Sequence, residues 1–247
     1  MLILAGLSLA GCAGPAPRPV PTEDRPPVRS PAAAASLFRP GSQHMLTTGD
    51  EAVAEVVQAG TLRLPTGRLV AVDPSWLPAA SWTPPVGPFT ATVPPGAYPV
   101  ELAVLRGPDT RVAAARLTVS DEPVRRWEPA LLAGQDPATL APGEFFGTGV
   151  DIGVLALTDA TAMDALGDLD DRNPEMFDLR HADRPLRVPD VVPGADAVAF
   201  TSGWGDGYYP TWVGRTATGG VACFIVDMLM LAPPTGSAPL AGSGPLA

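Results

Sequence analysis

The chain has 247 residues, of which 46% are hydrophobic and 17% are charged, and its formal net charge is -10. This length and composition predict one folded domain of ordinary size with additional segments, and they exclude global disorder. The negative charge argues against nucleic acid as a partner, because binding phosphates requires clustered cations. Every basic residue is an arginine, which excludes Schiff-base chemistry and P-loop phosphate binding.

The chain has few of the side chains that usually bind metal ions. The chain has two cysteines, Cys12 and Cys223, and two histidines, His44 and His181, which are far apart in the sequence. A zinc site needs several such ligands at close spacing. The sequence therefore predicts no metal site and no cofactor.

The N-terminus carries an apolar run that ends in Leu9-Ala10-Gly11-Cys12. This pattern resembles the lipobox of bacterial lipoproteins, and residues 1–12 are too few to cross a bilayer as a helix. The resemblance implies cleavage before Cys12, lipid attachment to this cysteine, and a location in the cell envelope, anchored by lipid on the extracytoplasmic side of a bacterial membrane. The alternative is a soluble protein with an apolar start and a chance cysteine.

Low-complexity segments flank the predicted folded part. Residues 13–44 are rich in proline and alanine without an apolar period, which is typical of an extended tether. Residues 232–247 form a second such segment, predicted to be a disordered tail. The β-rich folded domain is therefore expected at 45–231.

Within these limits, apolar runs alternate with Pro, Gly and Asp turns, and this pattern predicts many short strands. Strands are expected on both sides of the turn at 65–67, at 98–105, and at 221–226, where the lack of alternation indicates burial on both faces. One helix is expected to begin at Thr158 or Asp159 and to end at Gly167. These elements predict a mainly β (α+β) fold that is mostly antiparallel, either sandwich-like or a bent sheet, with one or two short helices.

Four motifs occur in the order LRLPTGRLVAVDP, VPPGAYPVELAV, VDIGVLALTDATAMDAL and SGWGDGYYPTWVGRTATGGVACFIVDM. In this order they resemble the bacterial family known as domain of unknown function 4241. The resemblance spans about residues 58 to 230, and the Gly-Asp-Gly-Tyr segment is its most specific part. It implies a fold type, and it implies no assigned chemistry. Two positions depart from the family pattern: Arg215 opens a loop that is usually acidic, and Met228 stands where Phe usually follows the final Asp.

Four aspartates lie at strand ends or glycine turns: Asp73, Asp151, Asp206 and Asp227. If the fold brings them together, they have the chemistry for a carboxylate pair in acid–base catalysis or for an oxygen-rich cation site. The alternative is that each caps a turn by accepting backbone N–H bonds, as aspartate does wherever a chain reverses.

A second candidate site lies in the glycine-rich segment at 202–214, which carries Trp204, Asp206, Tyr208 and Trp212. In an extended chain these four side chains share one face, and aromatic rings beside a carboxylate form a surface that suits a sugar or a peptide. The alternative is a bulged structural turn, because the glycines at 203, 205 and 207 let the backbone bend.

Two functions remain open. The first is a non-catalytic interaction domain of an envelope lipoprotein, with the membrane as a partner through the lipid and with an envelope glycan or protein as ligand. The second is a hydrolase or lyase that uses a carboxylate pair among the four aspartates.

Overall fold

The structure, a computed structural model, describes residues 31–77, 86–141 and 143–232. It contains a large antiparallel sheet, whose strands are hydrogen-bonded in the order β1, β2, β4, β5, β12, β11, β6. A further strand, β7, pairs with the start of β11. The bounds of these strands are Gln43–Met45 (β1), Glu51–Leu64 (β2), Gly96–Arg106 (β4), Thr110–Thr118 (β5), Arg126–Pro129 (β6), Gly147–Val150 (β7), Gly207–Arg215 (β11) and Val221–Asp227 (β12).

A smaller antiparallel sheet packs against the first, with the strand order β3, β8, β10, β9. Its strands span Leu69–Val72 (β3), Val154–Asp159 (β8), Leu186–Val192 (β9) and Ala195–Thr201 (β10). The prediction of a mainly β, mostly antiparallel fold is confirmed: the large sheet is curled, and two short helices accompany the strands.

Strands β3 and β8 of the smaller sheet are covered on both faces, which explains why they are buried without alternation. Leu155 and Leu157 of β8 face the main core together with Phe200 of β10. Val154 and Ala156, which alternate with these leucines along β8, face a second core on the opposite side of the sheet. That second core contains Trp76, Phe177 and the apolar side of helix α2 (Met163–Arg172).

The predicted turn at 65–67 carries the chain from one sheet to the other. The preceding strand, β2, pairs with β4, whereas β3 pairs with β8. Gly67 is required in this connection, because its φ is +67° and a Cβ there would lie 1.8 Å from the carbonyl oxygen of Val93. The Thr66 side chain donates to the buried Asp159 carboxylate at the end of β8, which holds the connection against the smaller sheet.

Helix α2 differs from its predicted bounds at both ends, because it begins at Met163 rather than at Thr158 or Asp159. Asp159 caps the 3-10 turn that precedes α2, where its carboxylate accepts from the Thr161 amide at 3.0 Å. The predicted end at Gly167 is wrong, because the helix continues to Arg172. Gly167 is instead a contact point, since a Cβ there would lie 2.6 Å from Leu77 Cβ. Packing against Leu77, rather than helix termination, accounts for this glycine.

The packed part of the chain begins before the boundary predicted at residue 45. Helix α1 spans Pro31–Ser36, and the residues after it, Leu37 and Phe38, are buried in the main core. The Arg116 guanidinium lies over the Phe38 ring at 4.3 Å, a cation–π contact that adds to the burial. Residues 31–44, assigned to the tether from their composition, are thus part of the fold.

The predictions for residues 1–12, including Cys12, for the tether at 13–30 and for the tail at 233–247 lie outside the described residues. Ala232, the last described residue, donates its amide to the Met45 carbonyl at 2.6 Å. Neither helix in the described part of the chain has the length and apolar character needed to span a bilayer.

Candidate functional site

Asp73 follows β3 and is completely buried. Its Oδ1 accepts from the Ser75 amide at 2.9 Å and from the Ser75 hydroxyl at 2.8 Å. Its Oδ2 accepts from the amides of Asp151 and Ile152, at 2.7 Å and 3.0 Å. A buried carboxylate is tolerated when its oxygens are hydrogen-bonded in this way. Asp73 therefore joins the end of β3 to the turn between β7 and β8.

Asp151 lies in that turn, beside Asp73. Its Oδ2 accepts from Trp76 Nε1 at 3.0 Å, so this carboxylate also has a partner within the fold. Gly207 of β11 pairs with Val150 of β7. Asp206 and Asp151 therefore stand at the same end of the β7–β11 ladder. The structure brings Asp73 and Asp151 into contact and places Asp206 next along the ladder.

The other two aspartates have contrasting surroundings. Asp206 is exposed, and its side chain makes no hydrogen bond with the described residues. Asp227 ends β12 and is 4% exposed, and its Oδ1 accepts from the Leu229 amide at 2.9 Å. That bond supports the unusual backbone of Leu229, whose φ is +54°. Asp227 thus has a structural contact on its own strand end, and it is not part of the Asp73–Asp151 contact.

A further carboxylate, that of Asp170, lies near Asp73. Asp170 belongs to helix α2, and burial, together with the nearby charges of Asp73 and Asp171, raises its pKa. No three His, Cys, Asp or Glu side chains within 31–77, 86–141 and 143–232 are arranged to hold a metal ion.

The glycine-rich segment forms a tight turn between β10 and β11. Gly203 and Gly205 have φ values of +55° and +95°, a region that favours glycine. The turn is closed by the Gly205 carbonyl, which accepts from the Ser202 hydroxyl at 2.7 Å and from the Tyr209 hydroxyl at 2.8 Å. Burial raises the pKa of Tyr209 to about 12, so its hydroxyl remains a donor at neutral pH.

The turn separates the aromatic residues that an extended chain would place on one face. Trp212 is buried, and Tyr208 is half-buried with its ring edge-on to Trp76, the ring centroids 6.3 Å apart. Trp204 is 38% exposed, and the Arg111 guanidinium lies 5.0 Å from the centre of its ring. The structural-turn interpretation therefore fits Tyr208 and Trp212, whereas Trp204 remains available at the surface.

A cleft of about 280 Å³ opens beside this turn, and we call it the Arg111 cleft. Its lining combines two arginines, three hydroxyl residues (Thr110, Thr201 and Ser202), three apolar side chains (Ile152, Leu179 and Ala182) and three glycines. Arg111 Nη1 donates to the Gly203 carbonyl at 3.0 Å, which fixes the guanidinium against the turn. Trp204 stands between two glycines of the lining, Gly203 and Gly205.

Sequence reasoning missed the arginines of this cleft. Arg111 lies inside the run TRVAAARLTVS, which indicates a strand and no site. Arg180 lies in a segment without a motif. Arg111 reaches Gly203 because the start of β5 packs against the glycine turn, a contact between distant parts of the chain.

A second, apolar cavity next to Trp76 measures about 30 Å³. The hydroxyl of Thr211 borders it and is buried without a hydrogen-bond partner among the described residues. In the same measure, this cavity has about a tenth of the volume of the Arg111 cleft, so it offers much less room for an organic ligand. The Arg111 cleft is therefore the better candidate for a binding site.

The protein-family model described as "Protein of unknown function (DUF4241)" matches residues 62–226, more than half of the chain. The chain belongs to the DUF4241 family. The matched range runs from β2 to β12, so the DUF4241 domain includes both Asp73 and the glycine turn. No curated protein and no solved structure matches the chain.

Met228, where the family pattern has Phe, is fully buried in this DUF4241 domain, and a Cβ on Gly203 would lie 2.8 Å from its Cβ. Arg215, at the start of the loop that is usually acidic, is paired with Glu128 through its Nε at 2.7 Å. Both departures from the family pattern thus have defined contacts.

The contacts of Asp73 and Asp206 predict that the same isosteric change has a large effect on stability at the first position and almost none at the second. Asp73→Asn turns an amide NH₂ toward backbone N–H donors, so we expect the free energy of unfolding to fall by about 3 kcal/mol, the upper range for a lost charged hydrogen bond. Asp206→Asn removes no hydrogen bond, and a surface change of this kind stays within about 0.5 kcal/mol. Urea unfolding of both variants measures the difference. Equal stability losses would contradict the structural role assigned to Asp73.

Proposed function

We propose that this DUF4241 protein is a lipid-anchored protein of the bacterial cell envelope whose β-rich domain binds an envelope glycan without catalysing a reaction on it. The observation that carries the proposal is the Arg111 cleft, with the exposed Trp204 on its glycine turn. The anchor and the location rest on the lipobox-like sequence that ends at Cys12 and on the proline-rich segment after it.

The chemistry of the cleft suits a sugar. Sugar rings present apolar C–H faces, which pack on an aromatic ring, and hydroxyl groups, which need several donors and acceptors at their edges. Trp204 supplies the ring. The hydroxyl residues and the glycine backbone of the cleft supply polar groups, and the glycine turn itself is held by the hydroxyl groups of Ser202 and Tyr209. A rigid site of this kind binds with a smaller entropy cost than a mobile loop.

Binding has more support than catalysis by a carboxylate pair. Both oxygens of Asp73 already accept two hydrogen bonds each, and Asp151 accepts from Trp76. A general base or nucleophile needs an oxygen that reaches the substrate. Asp206 is exposed and has no hydrogen bond within the described residues, and an acid–base pair requires a second carboxyl group that also reaches the substrate.

Trp204→Ala tests the glycan proposal. We expect the purified domain to sediment with isolated cell-wall glycan, and we expect the variant to lose at least about tenfold in affinity, as for removal of an aromatic contact residue. Its thermal unfolding should remain cooperative, because Trp204 is 38% exposed and belongs to neither hydrophobic core. The matched control is Val53→Ala, which truncates another exposed apolar side chain, on β2. Capture of an envelope protein in place of glycan, or equal binding by both variants, would overturn the proposal.

Cys12→Ser tests the anchor. Because lipid attachment requires the cysteine sulfur, we expect the variant to incorporate no labelled fatty acid and to leave the membrane fraction. Several acyl chains hold a protein firmly, whereas the folded domain alone has no such attachment. Wild-type protein that takes up no label but still fractionates with membranes would refute lipid anchoring.

A further inference from the structure

We infer that the ligand of the Arg111 cleft carries an anionic group, a carboxylate or a phosphate, which binds the guanidinium groups of Arg111 and Arg180. This inference rests on the proposed function, because it takes the cleft as the binding site, and it adds the chemical class of the ligand.

The charge of the cleft is opposite to that of the protein. The chain has a formal net charge of -10. Among the described residues that line the cleft, however, two are arginines and none is acidic. A cleft lined by one sign of charge concentrates ligands of the opposite sign. In an acidic protein, this local reversal favours an anion at this place.

Arg111 is held in position before any ligand binds. Its Nη1 donates to the Gly203 carbonyl, and its guanidinium lies against the Trp204 ring. Its buried Nε has no acceptor among the described residues, so the guanidinium keeps unused donor capacity. A planar guanidinium that is fixed in this way is suited to paired hydrogen bonds with a carboxylate or phosphate.

An anionic ligand can replace the aspartates with which Arg111 and Arg180 now form ion pairs. Arg111 Nη2 pairs with Asp109 at 3.1 Å, and the Asp109 side chain is 68% exposed. Arg180 pairs with Asp178, whose side chain is 54% exposed. Each aspartate lies two residues before its arginine, at the surface, where ion pairs contribute little to stability. An anionic ligand group in the cleft can therefore take their place at low cost.

The proximity of Trp204 and Arg111 indicates which chemical groups one ligand would carry. The ring offers a surface for a sugar face, and the guanidinium next to it offers donors for an acidic substituent on that sugar. The geometry therefore points to an acidic glycan, or to a glycan linked through phosphate, rather than to a neutral one.

Two sugars that differ by one acidic group test this inference. N-acetylmuramic acid carries a carboxylate, and N-acetylglucosamine has the same ring without it. We expect wild-type protein to bind the acidic sugar about tenfold more tightly in calorimetry, as for one charge-assisted hydrogen bond. Arg180→Gln and Arg111→Gln should each remove most of this preference, whereas Arg126→Gln, an exposed arginine of β6, should keep it. Higher salt should reduce the preference in wild type.

Inorganic phosphate distinguishes the source of the anion. If phosphate competes for the cleft in wild type but not in Arg180→Gln, and N-acetylmuramic acid shows no preference, the anionic group is a phosphate. Because Arg111 also supports the glycine turn, Arg180→Gln is the decisive variant if Arg111→Gln unfolds.

The inference and the proposed function fail in different ways. Equal binding of both sugars, without competition by phosphate and with a loss in Trp204→Ala, would overturn the anionic ligand and keep the glycan-binding site. Absence of sugar and phosphate binding, with cell-wall binding unaffected by Trp204→Ala, would overturn both.

Discussion

The buried carboxylate of Asp73 is the interaction on which the rest of the candidate site depends. A charge without solvent is stable only when hydrogen bonds replace its hydration, and here the amides of Asp151 and Ile152 provide two of them. This contact fixes the turn between β7 and β8. The same turn supplies Ile152 and Gly153 to the Arg111 cleft, and the Gly153 carbonyl accepts from the Ser202 amide at 3.0 Å. The cleft wall formed by Ile152 and Gly153 is thus hydrogen-bonded to the buried carboxylate. The glycine turn is in turn hydrogen-bonded to Gly153.

In this region the aspartates have a structural role, whereas the arginines line the cleft. Asp73, Asp151 and Asp227 accept hydrogen bonds from backbone amides or from an indole N–H. These bonds stabilise the fold. Arg111 and Arg180 pair with exposed aspartates and line the cleft, so their guanidinium groups face an accessible volume. This separation explains why the aspartates, which are conspicuous in the sequence, are weaker candidates for ligand contact than two arginines in unremarkable segments.

The strands were largely predictable, because apolar runs between Pro, Gly and Asp turns reflect local geometry. The partners of the strands were not, since β3 pairs with β8, which lies far along the chain. Helix α2 passes through Gly167 because contact with Leu77 overrides the low helix propensity of glycine. The start of the fold could not be predicted, because Leu37 and Phe38 lie in a low-complexity segment and form no periodic apolar pattern with their neighbours. The Arg111 cleft arises from contacts between distant turns, which no local pattern records.

The most direct test of the account is to map amide chemical shifts in labelled protein during titration with N-acetylmuramic acid. The account predicts changes at Thr110, Arg111, Gly153 and Gly205, around the Arg111 cleft, and little change around the small cavity next to Trp76. Shifts that centre on Trp76 and Thr211, or a spectrum that does not change at saturating sugar, would contradict the assignment of the cleft as the binding site.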